Sequence, residues 1–574
     1  MSDLRNVRNG LPISVGTYSD QPYVVKTADG AWLMVVTTGS GHEGSKGQHV
    51  VSARSLDGGK TWVDRIDVES PENPESSYAV LYRTDYGRIY CFYNYNAENR
   101  RYVLGDPSVY PDGKCVRVDS QGQFVFKYSD DNGKSWSEKW YEIPQRRFAV
   151  DLANPYGGEV LYFWNVGKPF THENGVFVPL YKIGDLGPLF MNHTECVLLH
   201  CDNINTERDP ERLHWQTLPD GDVGIRTPHE VCTVSEEHSF VVLSDGSFFC
   251  VFRTTTGHSY FSYSRDGGHT FTPPERMKYA DGREMKHPRA ANFIWKCENG
   301  KYLYWYHNHG GKSYDGRNPV WLSGAVEYPA PDGMRLKFSE PEILLYDEDV
   351  FIRMSYPDFI EQDGEYYFTE TQKAVARLHK ADKATIEGLW AQLDGTVEKP
   401  DGIVLTDGAA MPKIAPFVRR DESRSDHRAT DVGGGFAFMA EVTLAIPSDG
   451  ETLLFSTQNA EKAGARAVWN GEEIVFTMGD GLRTNVFYSD KAPLAGGGRH
   501  KIAVSVDADA RIVSFVIDGR FCDGGKERQY GFGRFDRYLT QICGSETVQV
   551  GDAVEKLTFV PRRITTSEAV AATR

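Results

Sequence analysis

Three short segments of this chain repeat one template, and that template restricts the fold more than any other feature. They are Ser55-Leu-Asp57-Gly-Gly59-Lys-Thr61-Trp62, Ser129-Asp-Asp131-Asn-Gly133-Lys-Ser135-Trp136 and Ser264-Arg-Asp266-Gly-Gly268-His-Thr270-Phe271. Each reads Ser-x-Asp-x-Gly-x-Ser/Thr-aromatic, and each follows a β-rich run. The Asp and the hydroxyl residue bond turn backbone, the Gly supplies a positive φ, and the aromatic is free to pack between sheets. Asp57 and Asp131 lie one decorated repeat apart, and Asp131 and Asp266 about two, for a unit that needs roughly 40–50 residues when bare.

Alternating apolar runs broken by Asp-Gly, Tyr-Gly or Asn-Gly turns fill the intervals. They fall near residues 21–38, 78–95, 161–182, 238–254, 292–307 and 358–371, and each reads as a β-hairpin. The template is the Asp box, and the pattern resembles the sialidase-like β-propellers over about residues 15–385. Six hairpins predict an all-β, six-bladed propeller, with a seventh blade left open. Helical periodicity is clear only around Ala381–Leu393, just past the last hairpin.

Beyond about Gly402 the texture changes. No Asp box occurs there, and long strands appear in Gly434–Leu444, Thr452–Ser456, His500–Asp507 and Arg511–Asp518. This resembles a laminin-G or concanavalin-type jelly roll. The expected division is a propeller over 1–398 and a β-sandwich over 399–574, the latter bracing the propeller rather than binding glycan, since no aromatic platform is evident.

The high counts of Gly (56), Tyr (30), Phe (30) and Trp (11) suit many short strands joined by tight turns. A net charge of −17 repels nucleic acid and anionic membrane surfaces, so neither is expected as a partner. It does not exclude an anionic glycan, because a local arginine cluster inverts the field within one pocket. Nine cysteines without regular spacing read as buried free thiols of a reducing compartment. With no apolar signal core at the start and no stretch of transmembrane length, a cytoplasmic protein is expected.

In a propeller, residues that begin innermost strands, or that follow second strands, converge on one central funnel. The strand starts are Asp20-Gln21-Pro22, Ser76-Ser77-Tyr78, Glu236-Glu237-His238, His287-Pro-Arg289-Ala-Ala-Asn292 and Arg353-Met-Ser-Tyr356-Pro-Asp358. The second-strand exits are His42-Glu43 continuing to Gln48-His49, Asn94-Tyr95-Asn96, Arg253, and His307-Asn-His309. Ionisable groups at the least exposed strands are costly unless used. Only one of Glu236 and Glu237 is expected to face inward, since strand neighbours alternate, and His238 has a reading as a satisfied core histidine. His307 and His309 flank a Gly-Gly loop, but no Cys or carboxylate at fixed spacing makes them metal ligands; no metal or other cofactor is expected.

The sialidase resemblance implies a tyrosine nucleophile activated by a glutamate, an aspartate acid/base and three arginines on the substrate carboxylate, a departure from the two-carboxylate scheme. On this chain it implies Tyr356 as nucleophile, Glu237 as its base, and Arg289 and Arg353 as two of the arginines. The first repeat departs from the family: Ser19-Asp-Gln21-Pro22 stands where an Arg-Ile-Pro start belongs, and His42-Glu43 where the aspartate loop belongs. The reading is an exo-acting glycoside hydrolase releasing a terminal acidic sugar from an oligosaccharide or glycoconjugate. Catalytic candidates are His42, Glu43, Glu237, His238, Tyr356 and Asp358; substrate-binding candidates are Gln21, His49, Arg253, His287, Arg289, His307, His309 and Arg353. Two alternatives are a rhamnose–glucuronate or ulvan-type lyase with a His or Tyr base, and a non-catalytic glycan-binding propeller.

Overall fold

The computed structural model describes residues 3–14, 16–420, 429–431, 434–445 and 450–574. Six radial antiparallel sheets follow one another. Blade 1 runs Asp20–Lys26, Trp32–Thr38, His49–Ser55 and Val63–Asp67; blade 2 runs Ser76–Arg83, Ile89–Tyr95, Gln123–Ser129 and Tyr141–Glu142. Blade 3 is Phe163–Trp164, Gly175–Lys182, Glu195–Cys201 and Trp215–Leu218, and blade 4 is Glu236–Val242, Phe248–Arg253, Tyr260–Ser264 and Glu275–Arg276. Blade 5 comprises Phe293–Lys296, Tyr302–Tyr306, Val320–Ala330 and Gly333–Phe338.

Blade 6 takes three strands from the end of the ring, Ser355–Gln362, Glu365–Thr371 and Ala376–Lys380. Its fourth is Leu11–Ile13, with Leu11 opposite Leu378. That pairing closes the ring at six blades and leaves no place for a seventh. The second strands, Trp32–Thr38 and Ile89–Tyr95 among them, are buried along their whole length. Neighbouring blades cover both of their faces, which is why they read as continuous apolar runs rather than alternating ones.

The three Asp boxes join third to fourth strands of blades 1, 2 and 4. In each, the Asp carboxylate accepts from the backbone N–H and the hydroxyl of the Thr or Ser four residues on, at 2.9 and 2.7 Å for Asp57 with Thr61. Ser55 Oγ accepts from Gly59 N–H, and Gly59 has φ +82° with a side chain excluded by Leu378 and Trp32. These turns lie on the rim opposite the loops that join second to third strands.

The C-terminal part is a β-sandwich. One sheet orders Ile403–Leu405, Val554–Val560, Gly435–Leu444, Gly498–Asp507, Ile512–Ile517 and Arg520–Phe521, with Gly533–Arg534 also on Ile512–Ile517. The other orders Thr484–Tyr488, Ile474–Gly479, Gly464–Trp469, Thr452–Ser456 and Gln549–Val550. Phe436, Phe438 and Val504 fill the space between the sheets. Their strand neighbours Ala437 and Ala503 face the opposite way, into a cluster shared with Phe249, Tyr304 and Trp321 of blades 4 and 5. Period-two alternation thus sorts large side chains to the sandwich interior and small ones to the propeller. Trp321 packs against Phe521 and Phe532 with ring centres 5.2 and 5.5 Å away.

The helix Lys383–Asp394 sits where periodicity predicts it, capped by Asp382 and ended by Gly395 at φ +74°. Its Trp390 Nε1 donates to Tyr302 O. No helix among the described residues is long and apolar enough to cross a membrane. Eight of the nine cysteines are buried, Cys543 is exposed, and all nine are free thiols.

Candidate active site

A cavity of about 630 Å³ opens on the rim away from the Asp boxes. Two kinds of residue line it. Tyr78, Glu237 and Tyr356 come from the starts of the innermost strands of blades 2, 4 and 6; Glu43, Arg117, Met191, Arg317 and Lys373 come from the loops between second and third strands. Arg253 ends the second strand of blade 4.

The strand starts share one backbone device. In blades 1, 2, 4 and 6 the register between first and second strands shifts near the entrance. At each shift one residue takes a left-handed conformation: Gln21, Tyr78, Glu237 and Tyr356, with φ between +46° and +58°. A β-bulge of this sort favours Gly, so a buried Gln, Tyr, Glu and Tyr in it are strained. Bulges re-aim a side chain, and three of these four line the cavity. Gln21 is the exception, buried with both amide atoms unpartnered and outside the cavity lining.

Tyr356 Oη donates to Glu237 Oε1 at 3.0 Å. The other oxygen, Oε2, lies 2.7 Å from Arg253 Nη1 as an ion pair, without hydrogen-bond alignment. Burial pushes the Glu237 carboxyl up and Arg253 opposes it; burial and Glu237 both push the Tyr356 phenol up. Arg253 Nε also donates to Glu236 Oε2 at 2.9 Å. Adjacent glutamates therefore reach one arginine, yet only Glu237 lines the cavity and Glu236 is buried behind it, so one of the two faces inward as expected.

Across the cavity lies a second tyrosine–carboxylate–arginine unit. Tyr78 Oη donates to Asp119 Oδ2 at 2.6 Å and accepts from Arg117 Nη2 at 2.8 Å. Arg117 also pairs with Glu43 Oε2 at 3.1 Å. Lys373 completes the row, 2.7 Å from Glu43 Oε1 and 2.6 Å from Asp20 Oδ2, with its ammonium 4.7 Å from the centre of the Tyr356 ring. Burial pushes Glu43 up, but Lys373 and Arg117 outweigh it and hold the carboxyl well below its usual range.

Arg317 stands apart. It is buried, lines the cavity, and donates to two neutral oxygens, Ser355 Oγ at 2.6 Å and Tyr314 O at 3.1 Å. Among the described residues no carboxylate lies within ion-pair distance. Burial lowers its affinity for the proton, as expected of a cation without a counter-ion. Arg353, exposed at the rim, reaches Tyr314 O.

Several residues expected in the funnel are elsewhere. Arg289 is spent on Glu236, with Nε donating to Oε2 at 3.0 Å, and on the carbonyls of Leu189 and Met191; it ties blade 5 to blades 3 and 4. Asp358 accepts from Val24 N–H at 2.7 Å and pairs with Lys168 at 2.7 Å, clasping blade 6 to blade 1. His238 stacks on Phe252 at 4.1 Å with both ring nitrogens unpartnered, a core histidine held neutral by burial. His49 faces the outer edge of blade 1, with Nδ1 on Gly47 O and Nε2 3.3 Å from Asp67.

His287 and His307 are likewise outside the cavity. His287 Nδ1 accepts from His307 N–H and its Nε2 lies 2.9 Å from Ala290 O, while His307 Nδ1 lies 3.2 Å from Pro319 O. His309 turns to the sandwich. Of the six candidate histidines only His42 lines the cavity, exposed at its mouth. His42, Glu43, Glu237, Tyr356, Arg253 and Arg353 are thus brought together.

Arg117, Arg317 and Lys373 were missed by the sequence reading, although all three sit in second-to-third-strand loops. The rule that a residue following a second strand faces the funnel covers them. In blades 2 and 5 these loops are long, and in blade 6 the exit Thr371-Gln372-Lys373 carries no distinctive motif. Among the described residues no cluster of three or more His, Cys, Asp or Glu is placed to hold a metal.

A family model of the BNR/Asp-box repeat matches residues 127–138, the second Asp box. The fold is an Asp-box β-propeller. No curated protein matches the chain significantly. Among solved structures, the intramolecular trans-sialidase from Ruminococcus gnavus in complex with oseltamivir carboxylate is 13% identical, covering 67% of this chain and 99% of its own, with a TM-score of 0.45. The Trypanosoma rangeli sialidase in complex with the inhibitor DANA is 11% identical, covering 97% and 94%, at 0.42. A protein of unknown function from Dyadobacter fermentans is 18% identical over 65% and 96%, at 0.40. The fold assignment itself rests on the six sheets and their Asp-box turns.

Proposed function

We propose that this Asp-box propeller is an exo-acting glycoside hydrolase that removes a terminal sugar carrying a carboxylate. The observation that supports it most is the Tyr356–Glu237 hydrogen bond beside Arg317, a buried cation with no carboxylate partner among the described residues. A planar guanidinium so placed suits bidentate binding of a sugar carboxylate, with Arg353 adding positive charge at the rim. A neutral tyrosine suits attack on such a sugar, because a carboxylate nucleophile would be repelled by the sugar's own charge.

In the proposed cycle Tyr356 Oη bonds to the anomeric carbon while its proton passes to Glu237 Oε1. The glycosidic C–O bond breaks, and the leaving oxygen takes a proton from the Glu43 carboxyl. Water then displaces the tyrosine, giving one proton to Glu43 and keeping the other as the new sugar hydroxyl, while Glu237 returns to Tyr356 the proton it took in the first step. Arg253 holds Glu237 in place through both steps. Elimination by a histidine base loses support, since of its candidates His42, His49 and His238 only His42 lines the cavity.

The test is an incubation with a panel of acidic oligosaccharides, the products being weighed by mass spectrometry. A product heavier by one water supports hydrolysis. An unsaturated uronate without added water would establish a lyase instead, and a ligand bound in calorimetry but recovered unchanged would establish a binding propeller.

A further inference from the structure

Arg317 and Tyr314 are carried by a loop, residues 307–319, that has no aliphatic side chain other than Pro319 and contains Gly310, Gly311 and Gly316. Its neck is closed by His307 Nδ1 on Pro319 O. Its outer side rests on the C-terminal sandwich. Gly310 N–H donates to Gln529 O at 2.9 Å, and His309 and Tyr530 form an antiparallel bridge. The rings of those two residues stack at 4.7 Å and 27°. The His309 imidazole in turn lies between chain segments, with Nε2 2.8 Å from Gly316 O and Nδ1 accepting from Gly311 N–H at 3.1 Å.

At the far end of the loop Arg534 Nη2 donates to Asn318 Oδ1 at 2.9 Å. Asn318 Nδ2 donates to the carbonyls of Asp347 and Asp349 at 3.0 and 2.9 Å. The residues on either side of Arg317, Gly316 and Asn318, are therefore both held through contacts that lead to the sandwich segment 529–534. Gly316 has φ +75°, and a side chain there would strike His309 at 2.5 Å and Tyr530 Oη at 3.0 Å, so the approach is close-packed. Nearby, Lys286 Nζ donates to Asp523 O and Arg528 O at 2.8 and 2.7 Å, tying the stretch just before that segment to the blade 4–5 connection.

We infer that the C-terminal sandwich is part of the substrate-binding apparatus: Tyr530 and Arg534 are positioning residues that set the place of Arg317 and Tyr314 in the propeller cavity. The inference rests on the carboxylate-binding role proposed for Arg317. A ring stack and two hydrogen bonds on a glycine-rich loop fix its backbone at little entropic cost, because the sandwich is already docked through Trp321, Phe521 and Phe532.

The experiment uses the full chain with Tyr530→Ala and Arg534→Ala, with Tyr530→Phe as the conservative control and thermal unfolding to confirm folding. Backbone hydrogen exchange across residues 307–319 is expected to quicken at least about tenfold in both alanine variants. Residues 127–138, on the other rim, serve as the internal reference and keep their rate. With an acidic substrate KM is expected to rise by roughly 10- to 100-fold with a smaller change in kcat, and Tyr530→Phe to restore both. Unchanged exchange would overturn the positioning role. So would quickened exchange with an unmoved KM on a substrate whose binding Arg317→Ala weakens. Quickened exchange in a protein that turns over no acidic sugar sinks the substrate reading and leaves the loop's dependence on the sandwich standing.

Discussion

Tyr356 of blade 6 and Glu237 of blade 4 meet at 3.0 Å, and each occupies the left-handed residue of the bulge that opens its innermost strand, at φ +46° and +54°. Holding bulky residues there costs of order 1–3 kcal/mol each. The same bulge in blades 1 and 2 carries Gln21 and Tyr78. The strain is repeated around the ring and supplies the angle at which these side chains leave their strands.

Tyr356→Phe removes the nucleophilic oxygen and leaves the ring and its packing. Turnover is expected to fall by roughly 10³-fold or more, and Glu237→Gln by roughly 10²- to 10⁴-fold. Steady-state kinetics on a confirmed substrate measures both. Retention of turnover by both variants would rule out the assigned roles.

Arg317 and Arg289 are expected to fail in different ways. Arg317→Ala raises KM for acidic sugars by roughly 10- to 100-fold, the value of a lost charge-assisted pair of about 1.5–3 kcal/mol, with little loss of stability. Arg289→Ala removes one of the two cations on fully buried Glu236 and unpins the Leu189 and Met191 carbonyls. It is expected to cost about 3 kcal/mol of stability. Urea denaturation and binding calorimetry on the two variants separate the cases; equal stability losses would mean the two arginines had been wrongly divided.

Asp358→Asn tests a residue that position alone suggested as an acid. Its carboxylate joins blades 6 and 1 through Val24 N–H and Lys168. Loss of roughly 1–3 kcal/mol is expected, seen as a lower denaturation midpoint, while kcat changes less than about threefold. A kcat loss on the scale of Tyr356→Phe with unchanged stability would return Asp358 to the chemistry.

The leaving group is expected to decide the pH profile. Glu43 must carry a proton to help a poor leaving group depart, and Lys373 and Arg117 hold its carboxyl below the usual range. Its protonated fraction therefore grows as pH falls through the acidic range. Glu237 must be ionised to accept the tyrosine proton, and burial holds it above the usual range, so its ionised fraction is lost as pH falls through that raised value. Below that value the gain in protonated Glu43 offsets the loss of ionised Glu237, so natural oligosaccharides should show a flat acidic optimum that falls away as pH rises above it. An aryl glycoside with a good leaving group needs no acid and should show a plateau extending to higher pH, and Lys373→Met should move the natural-substrate optimum upward. Identical profiles for both substrates would exclude Glu43 as the acid.

Buried histidines add an acid sensitivity of their own. Burial pushes His287 down to about 3 and His309 down to about 4, against about 6.5 in the unfolded chain. The unfolded state takes up these protons first, so stability falls as pH drops from about 6.5 toward these depressed values. Glu340 runs the other way: burial pushes it up to about 7, and its protonation favours the folded state as pH falls below 7. His309→Gln is expected to flatten the decline in denaturation midpoint between pH 6.5 and 4.5 relative to the native chain, by roughly 1.4 kcal/mol for each pH unit over which the histidine is unprotonated only when folded. An undiminished slope would show that His309 is not among the groups responsible.

Much of the architecture is written locally. A Ser-x-Asp-x-Gly-x-Thr turn bonds to itself within a few residues, and an apolar hairpin with an Asp-Gly turn pairs with its neighbour in the chain, so the six blades and the strands of the sandwich follow from short-range pattern. Tyr356, Glu237 and Arg253 were also legible, because each stands at a strand end whose place in a blade is set by that pattern. Which charges are spent on scaffold and which are left for a ligand was decided only by tertiary structure. Arg289 and Arg317 look alike in sequence, but Glu236, 53 residues from Arg289, neutralises one of them, and the other has no such partner among the described residues. The histidines marked for substrate binding at His287, His307 and His309 instead brace the loop of the arginine that the sequence concealed, and one of them does so against Tyr530, 221 residues away along the chain. Pairing of buried charge depends on distance through space, and the Asp boxes, which order the blades so clearly, carry no information about it.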